Sequence, residues 1–429
     1  MTAEQGQTGF RAVFRSKGFT RLLVGQSVSS LGDWVATFAF IVGAYALSHQ
    51  NQTAVAVVLV LRLVPPMFAA PVGGVVADRL PRRTIMVTCD LSRAALIALV
   101  PFVGLTLLYV IAFVHESISL FFLPARDASV PALVPRRVLP EANGLILGSS
   151  YGTLPLAAAL FSGLRLVVAH IPSAIPFAHL FRAHPTAFAF FFDAATFVFS
   201  ASMIVRLPLE EKRTKDELDL FKGVVEGVRY VMGHPGLRSL AYGLIVSMFG
   251  GGVLFAVGIG YIHQTLHGTD VDFGFLAALW GLGMGLGLAA VRLLIKRGKD
   301  KVFIAAVAAC GGILVIMALL PFRWLAFLAS VGFGMAFSIA IVLALTAAQE
   351  TAEDRIRGRI MGGVQMLFRV GLGAGALGIG ALAHSVRHLS VGFISLDGNQ
   401  VGMVVGGALI MVGAVASSGV TRSPAWSNP

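Results

Sequence analysis

Long apolar runs divide this chain of 429 residues into segments that short polar connections separate. A helix rises about 1.5 Å per residue, so a run of roughly 20 residues crosses a hydrocarbon core of about 30 Å. We therefore expect an all-α integral membrane protein with twelve transmembrane helices. The predicted spans are 21–47, 53–77, 84–101, 104–124, 142–169, 186–206, 239–262, 272–295, 302–321, 324–348, 359–384 and 399–419.

Composition indicates the same class of protein. Apolar residues make up 56% of the chain and charged residues 13%, about half the roughly 25% of a typical soluble protein. The net charge of +12 is spread in short basic clusters between apolar runs, so a membrane explains it better than nucleic acid does. Cys89 and Cys310 both fall in apolar runs, which implies neither a disulfide framework nor a metal site. No cleavage pattern precedes the first span, so we expect it to be retained.

The basic residues also predict how the spans are oriented. The third and fourth runs are separated only by a turn at Pro101 and Gly104, and merging them would leave eleven spans. On the twelve-span interpretation, one side carries 26 of the 33 Lys and Arg residues, and the other carries Arg182, Arg323 and Arg387. Loops rich in Lys and Arg face the cytoplasm. Both termini are therefore predicted to be cytoplasmic.

One long charged connection, 207–238, divides the chain into two halves of six spans each, 1–206 and 239–429. Apolar residues recur in this connection at helical spacing, which predicts an amphipathic helix on the inner membrane surface. A solvated linker helix is the alternative. A glycine-rich stretch at 281–287, followed by a basic run at 292–301, echoes the corresponding turn of the first half. Matching halves indicate an internal duplication.

Residues 74–83 form a short polar turn between the second and third runs. The turn contains a glycine for close helix approach, an acid and a base that can cap and pair, and a proline that directs two arginines toward the headgroups. These residues are Gly74, Asp78, Arg79, Pro81, Arg82 and Arg83. The spacing resembles the signature of the major facilitator superfamily, GxxxD(R/K)xG(R/K)(R/K), with Pro81 in place of its second glycine.

That resemblance implies the major facilitator fold, transport by alternating access, and a latch that closes the cytoplasmic side. The cytoplasmic gate is expected to contain Gly74, Asp78, Arg79, Arg82 and Arg83, together with Asp90 and Arg93 of the third span. Glycines of the eighth and eleventh spans are expected to allow close packing or bending as the halves move.

Further stretches resemble one branch of the superfamily, the enterobactin exporters and macrolide-efflux proteins. They are Gly32–Trp34, Arg62–Pro65, Leu123–Pro131, Glu141–Gly144, Asp193–Phe197 and Arg357–Gly362. This resemblance implies proton-coupled export of drug-like or siderophore-like amphiphiles across the bacterial inner membrane, with the proton gradient as energy source and no cofactor. The fifth span keeps Pro155 but lacks most glycines that drug antiporters carry nearby, and this departure weakens the case for proton antiport of drugs.

Ionisable side chains within spans are costly unless they are paired or face water, so they are the functional candidates. Asp33 lies near the middle of the first span and Arg62 at a comparable depth in the second. They can form a permanent brace, or a pair that opens during transport and lets Asp33 exchange a proton. Glu116 has no basic residue one helical turn away, which suits a proton carrier. The alternatives are contacts with hydroxyl groups between packed helices, or a position nearer the inner surface. We assign proton coupling to Asp33, Arg62 and Glu116.

The expected substrate-binding residues are Gln26, Trp34, Arg165, Asp193 and Arg369. Arg165 and Asp193 lie toward the outer ends of neighbouring spans, where they can instead pair with each other. Arg369 is the central charge of the second half. We expect it to form an ion pair either with an anionic substrate group or with an acid of the first half.

Two other functions stay open at this stage. A lipid transporter, such as a lysophospholipid flippase, has a similar layout. An integral-membrane enzyme would need converging catalytic groups, and the sequence contains no GxxxxGK(S/T), GxSxG or HExxH motif. His170, His179 and His184 lack the spacing of a metal site, so we expect solvated loop residues. The expected partners are a small amphiphile and membrane lipids, and we expect a monomer.

Overall fold

The computed structural model describes residues 13–68, 80–172, 181–182, 184–209, 229, 231–233, 235–351, 357–386, 388–391 and 394–418. Helices account for most of them. The first-half helices are α1 Lys17–Leu47, α2 Gln52–Leu63, α3 Arg82–Leu99, α4 Leu105–Leu133, α5 Leu139–Tyr151, α6 Leu154–Ala169 and α7 Ala187–Ile204. The second-half elements are α8 Pro235–Gly260, α9 Asp270–Leu294, α10 Lys299–Leu319, α11 Arg323–Thr351, α12 Arg357–Ser385, β1 His388–Val391, β2 Ile394–Asp397 and α13 Gly398–Ser418.

Eleven helical segments of the described chain are long and apolar enough to cross a membrane. One of them combines α5 and α6, which meet at Gly152 and Thr153. The helix α2 has only 12 residues and a 3-10 turn at Pro65–Phe68 follows it, whereas residues 69–77 of the predicted second span lie outside the described residues. The third and fourth spans are separate helices, because a 3-10 turn at Val100–Phe102 ends α3 and Gly104 precedes α4. The predicted all-α membrane fold is confirmed.

Two features were not predicted. The helix α4 continues to Leu133, beyond the end of its apolar run at 124, and its polar extension contains the Arg126–Asp127 ion pair at 2.8 Å. Strands β1 and β2 form an antiparallel hairpin in which Leu389 lies opposite Leu396. A search for long apolar runs cannot detect strands of four residues.

The first compact unit falls within residues 1–40 and 68–220. Its helix α3 packs against α4 and α7, and buried side chains such as Phe19, Leu22 and Phe122 contribute to its core. The helix α1 approaches α7 at Gly32, where a Cβ would overlap the side chains of Asp193 and Thr196. Only glycine lets the two helices approach this closely.

The second compact unit falls within residues 41–67 and 221–429, so it includes the end of α1 and all of α2. Its helices pack in three close pairs, α8 with α12, α9 with α11 and α10 with α13. Each pair has glycines against the partner's backbone: Gly252 and Gly375, Gly283 and Gly334, Gly311 and Gly407. This is the packing expected of the glycine-rich spans. The predicted boundary segment 207–238 lies mostly outside the described residues, so that division and its amphipathic helix stay predictions.

Large apolar side chains cover much of the outer surface. Leu293 and Val415 are each 70% exposed, and Trp324 and Val412 are each 67% exposed. A soluble monomer rarely exposes apolar surface on this scale. A lipid environment accounts for these side chains.

Candidate functional site

Four helices of the first unit bring ionisable side chains together, and we call this set the buried ionic cluster. Its members are Asp33 on α1, Asp90 and Arg93 on α3, His115 and Glu116 on α4, and Asp193 on α7. The side-chain ligand atoms of Asp33, His115 and Asp193 all lie within 4.8 Å of one another. The side chains of Asp90, His115 and Asp193 are fully buried.

Asp33 stands at the centre of α1, with 16 residues before it and 14 after it. The helix α1 is long enough to cross a membrane, and the sequence also predicted a position in the middle of this span for Asp33. Sequence reasoning, however, placed Asp193 in a separate group near the outer ends of two spans, and it did not assign His115 to any site.

Arg93 provides the permanent positive charge of the cluster. It forms a buried ion pair with Asp90 one helical turn away, and its Nη1 donates to Ser119 Oγ at 3.4 Å. The guanidinium carbon lies 4.4 Å from the ring centroids of both Phe122 and Phe197. Planar guanidinium groups stack well on aromatic faces. Asp90 lies eight residues, or about 12 Å, from the start of α3, and the gate role of this pair stays a prediction.

His115 lies beside the predicted proton carrier. Its Nδ1 is 3.9 Å from Glu116 Oε1, and its ring packs edge-on against Phe197 at a centroid distance of 5.4 Å. Glu116 therefore has an imidazole neighbour. The sequence analysis considered only basic residues one helical turn from Glu116, so it did not include His115. The adjacent position of the two residues in the sequence was the available signal.

An imidazole grouped with carboxylates can pass a proton among its members, because histidine and buried acids both exchange protons near neutral pH. The same donor types also bind metal ions. The Arg93 guanidinium interacts electrostatically with Asp33, and a fixed positive charge at this position disfavours a second cation. Of these two chemistries, proton exchange is the one that the charges of this set favour.

Two predicted substrate contacts on α1 make bonds inside the first unit. Gln26 is buried and donates to Ser30 Oγ at 2.8 Å. The Trp34 indole N–H donates to the Ser150 carbonyl at 2.9 Å and so holds α1 against α5. Their contact with substrate stays a prediction.

Three further arginines were predicted to have functional roles within the spans, and all three are half-buried: Arg62, Arg165 and Arg369. Arg165 lies on α6, and its predicted pairing with Asp193 is untested. Arg62 on α2 belongs to the second unit and Asp33 to the first, so their pairing also stays a prediction. Arg369 lies on α12, which packs against α2.

The predicted cytoplasmic gate is described only in part. Gly74, Asp78 and Arg79 lie outside the described residues. Arg82 begins α3, and its Nη1 donates to the Ala128 carbonyl at 2.8 Å, which fastens α3 to α4. Arg83 is exposed. The gate assignment stays a prediction.

A second polar group, in the second unit, was missed by the sequence analysis. Gln52 Nε2 donates to Asn399 Oδ1 at 2.9 Å and to Gln264 Oε1 at 3.2 Å. Asn399 Nδ2 donates to the same Gln264 oxygen at 2.9 Å. These amides join the start of α2, the turn after α8 and the start of α13. Polar residues at span ends look like ordinary loop residues in a sequence, so this group gave no signal.

The family model described as Major Facilitator Superfamily matches residues 22–376. YfiS of Bacillus subtilis (strain 168), named as an uncharacterized MFS-type transporter, is 27% identical over 292 residues, 65% of each chain. This chain thus covers just under two thirds of YfiS. The similarly named YkuC of the same organism is 23% identical over 343 residues, 75% of each chain.

Solved structures show the same fold. A bacterial homolog of the human lysosomal transporter Spinster, inward-facing and unoccupied, has a TM-score of 0.72 and 14% identity, covering 95% of this chain and 98% of that one. The nucleoside transporter NupG has a TM-score of 0.72 and 12% identity, covering 94% and 99%. Because the family model covers most of the chain and the fold agrees, the protein belongs to the Major Facilitator Superfamily, a family of transporters, and is a multi-pass membrane protein.

Proposed function

We propose that the protein is a proton-coupled exporter of amphiphilic small molecules, drug-like or siderophore-like, in the bacterial inner membrane with both termini cytoplasmic. The supporting observation is the buried ionic cluster, in which Asp33, His115 and Asp193 lie within 4.8 Å of one another on helices long enough to span a membrane. Ionisable groups inside membrane proteins mark proton and ion pathways.

The composition of the cluster suggests how a proton drives the cycle. Four carboxylates share their surroundings with one arginine and one histidine. Closing such a site away from water is costly while its charges are unbalanced. Uptake of a proton lowers the net negative charge, so the protonated cluster favours a closed, dehydrated arrangement. Protonation then shifts the balance between conformations, as alternating access requires.

The substrate class and direction rest on the resemblance to enterobactin exporters and macrolide-efflux proteins. We propose that a monomer transports the amphiphile with the proton gradient as its only energy source. Lipid transport is the competing proposal and is decided by the same assay.

The test uses purified protein in proteoliposomes with an imposed pH difference. Neutral chloramphenicol, cationic erythromycin and a fluorescent lysophosphatidylcholine serve as candidate substrates. We expect uphill movement of chloramphenicol or erythromycin that requires the pH difference, together with a substrate-dependent change in internal pH. Asp33→Asn or Glu116→Gln should abolish the uphill movement and spare downhill exchange. Asp300→Asn, in the first turn of α10, is the matched control outside the cluster.

Two results would contradict the proposal. If both cluster variants still concentrate substrate in response to the pH difference, coupling does not occur at Asp33 or Glu116. If only the lysophosphatidylcholine moves, and does so without a pH difference, the protein is a lipid transporter.

A further inference from the structure

A cavity of about 740 Å³ lies between α1 and α5 in the first unit. Its lining is Leu23 and Ser27 from α1, and Glu141, Gly144, Leu145, Gly148 and Ser149 from α5. The volume falls within the roughly 300–1,000 Å³ of sites that hold drug-sized ligands. The two glycines leave room for it, because a Cβ at Gly144 or Gly148 would meet no atom within 4 Å.

Among the described residues, the polar side chains that line this cavity offer hydrogen-bond acceptors. Ser27 Oγ donates its proton to the Leu23 carbonyl at 2.8 Å, and Ser149 Oγ donates to the Ile146 carbonyl at 2.8 Å. Both hydroxyls therefore have only lone pairs left for a ligand. The third polar side chain, Glu141, contributes a carboxylate. A ligand that complements this set must supply N–H or O–H donors.

Glu141 is the charged group of the cavity. Among the described residues, its Oε2 is buried and receives no hydrogen bond. Glu141 lies in the first turn of α5, where the helix dipole stabilises a negative charge. A buried carboxylate oxygen without a partner is costly, and a bound cation would remove that cost.

We propose that this cavity binds protonated amphiphilic amines, with Glu141 as the counter-ion and the aliphatic lining as the contact for the apolar part. The inference rests on the proposed transport function and names its substrate class. On the predicted orientation, Leu23 and Glu141 lie toward the cytoplasmic ends of their helices, where an exporter loads its substrate.

The cavity is also connected to the buried ionic cluster through α1. Ser27 and Asp33 are six residues apart, about 9 Å along the helix. The Trp34 bond to the Ser150 carbonyl, at 2.9 Å, closes the α1–α5 contact next to cavity residue Ser149. A ligand that moves α5 relative to α1 therefore acts on the helix that carries Asp33.

The experiment measures equilibrium binding of tritiated propranolol, a protonated secondary amine, to the purified protein without any pH gradient. Its N-acetyl derivative has the same aromatic body but no charge. We expect propranolol to bind and the N-acetyl derivative to bind at least about tenfold more weakly, because a charge-assisted hydrogen bond is lost. Glu141→Gln should weaken propranolol binding by about tenfold or more for the same reason.

A second pair of variants tests the cavity itself. Gly148→Leu fills it and should abolish binding, while the better helix propensity of leucine keeps α5 folded. Gly163→Leu is the matched control, since Gly163 lies on α6 away from the cavity and its Cβ also meets no atom within 4 Å. This control should bind propranolol like the unmodified protein.

Three results would overturn the inference: equal binding of the N-acetyl derivative, unchanged affinity in Glu141→Gln, or unchanged affinity in Gly148→Leu. A Glu141→Gln variant that melts at lower temperature but binds propranolol normally would show a purely structural carboxylate. The proposed function is tested separately. Proton-driven chloramphenicol transport without propranolol binding refutes only this inference, whereas the expected binding pattern without any proton-driven transport refutes only the coupling.

Discussion

Arg93 lies between the rings of Phe122 and Phe197 while its guanidinium contacts the fully buried carboxylate of Asp90. The residue therefore combines three roles: counter-ion, aromatic contact and neighbour of Asp33. Removing one partner of a buried ion pair leaves an uncompensated charge, which costs more than the pair contributes.

Replacement of Arg93 by leucine should destabilise the protein by about 3–5 kcal/mol, because Asp90 is left charged and buried. Arg93→Lys keeps the charge but loses the planar group between the rings, so we expect a smaller loss. The double variant Asp90→Leu/Arg93→Leu should recover part of the stability. Unfolding of the purified variants in denaturant measures these effects, with exposed Arg83→Leu as control. A double variant whose loss equals the sum of the two single losses would show that the pair is not coupled.

At the scale of the helices, the sequence predicted the transmembrane elements well because span length and apolar composition are set by the membrane itself. It separated α3 from α4 through Pro101 and Gly104, and the structure has a turn there. It placed Asp33 in the middle of the first span, and Asp33 lies in the central region of α1, with 16 residues before it and 14 after it. It did not bring Asp33, His115 and Asp193 together, since three helices distant in sequence meet only through tertiary packing. The close approach of α1 and α7 at Gly32 is such a contact.

Glycines along one helix have different roles that spacing alone does not distinguish. On α12, a Cβ at Gly375 would meet the backbone of Phe249 on α8, whereas a Cβ at Gly378 would meet no atom within 4 Å. Both positions lie in the same glycine-rich stretch, so they make a matched pair.

We predict that Gly375→Val destabilises the protein by about 1–3 kcal/mol or more, because the added methyl groups force α12 away from α8. Gly378→Val has the same helix propensity and should stay close to the unmodified protein. Thermal unfolding and the yield of monodisperse protein measure the difference. Similar behaviour of the two variants would mean that the α8–α12 contact does not depend on glycine at 375.

At the scale of the whole molecule, the orientation in the membrane follows from the asymmetry of basic residues. The helix α10 is a convenient single span on which to test it, since its two ends have opposite character. Basic residues from Arg292 to Lys301 surround its start, and its end leads through exposed Phe322 into α11. The rule for positive loops places the start inside and the end outside.

Single cysteines at the two ends of α10 should therefore differ in labelling by a membrane-impermeant thiol reagent in intact cells. Phe322→Cys is expected to react, and Arg297→Cys only after the cells are permeabilised. Arg297 is preferable to its neighbour Gly298, whose φ of 101° would strain a cysteine. The native Cys89 and Cys310 are both buried, so the unmodified protein should give little background. Reversed labelling would invert the orientation, and the cavity containing Glu141 would then open toward the outer side, which contradicts cytoplasmic loading of an exported amine.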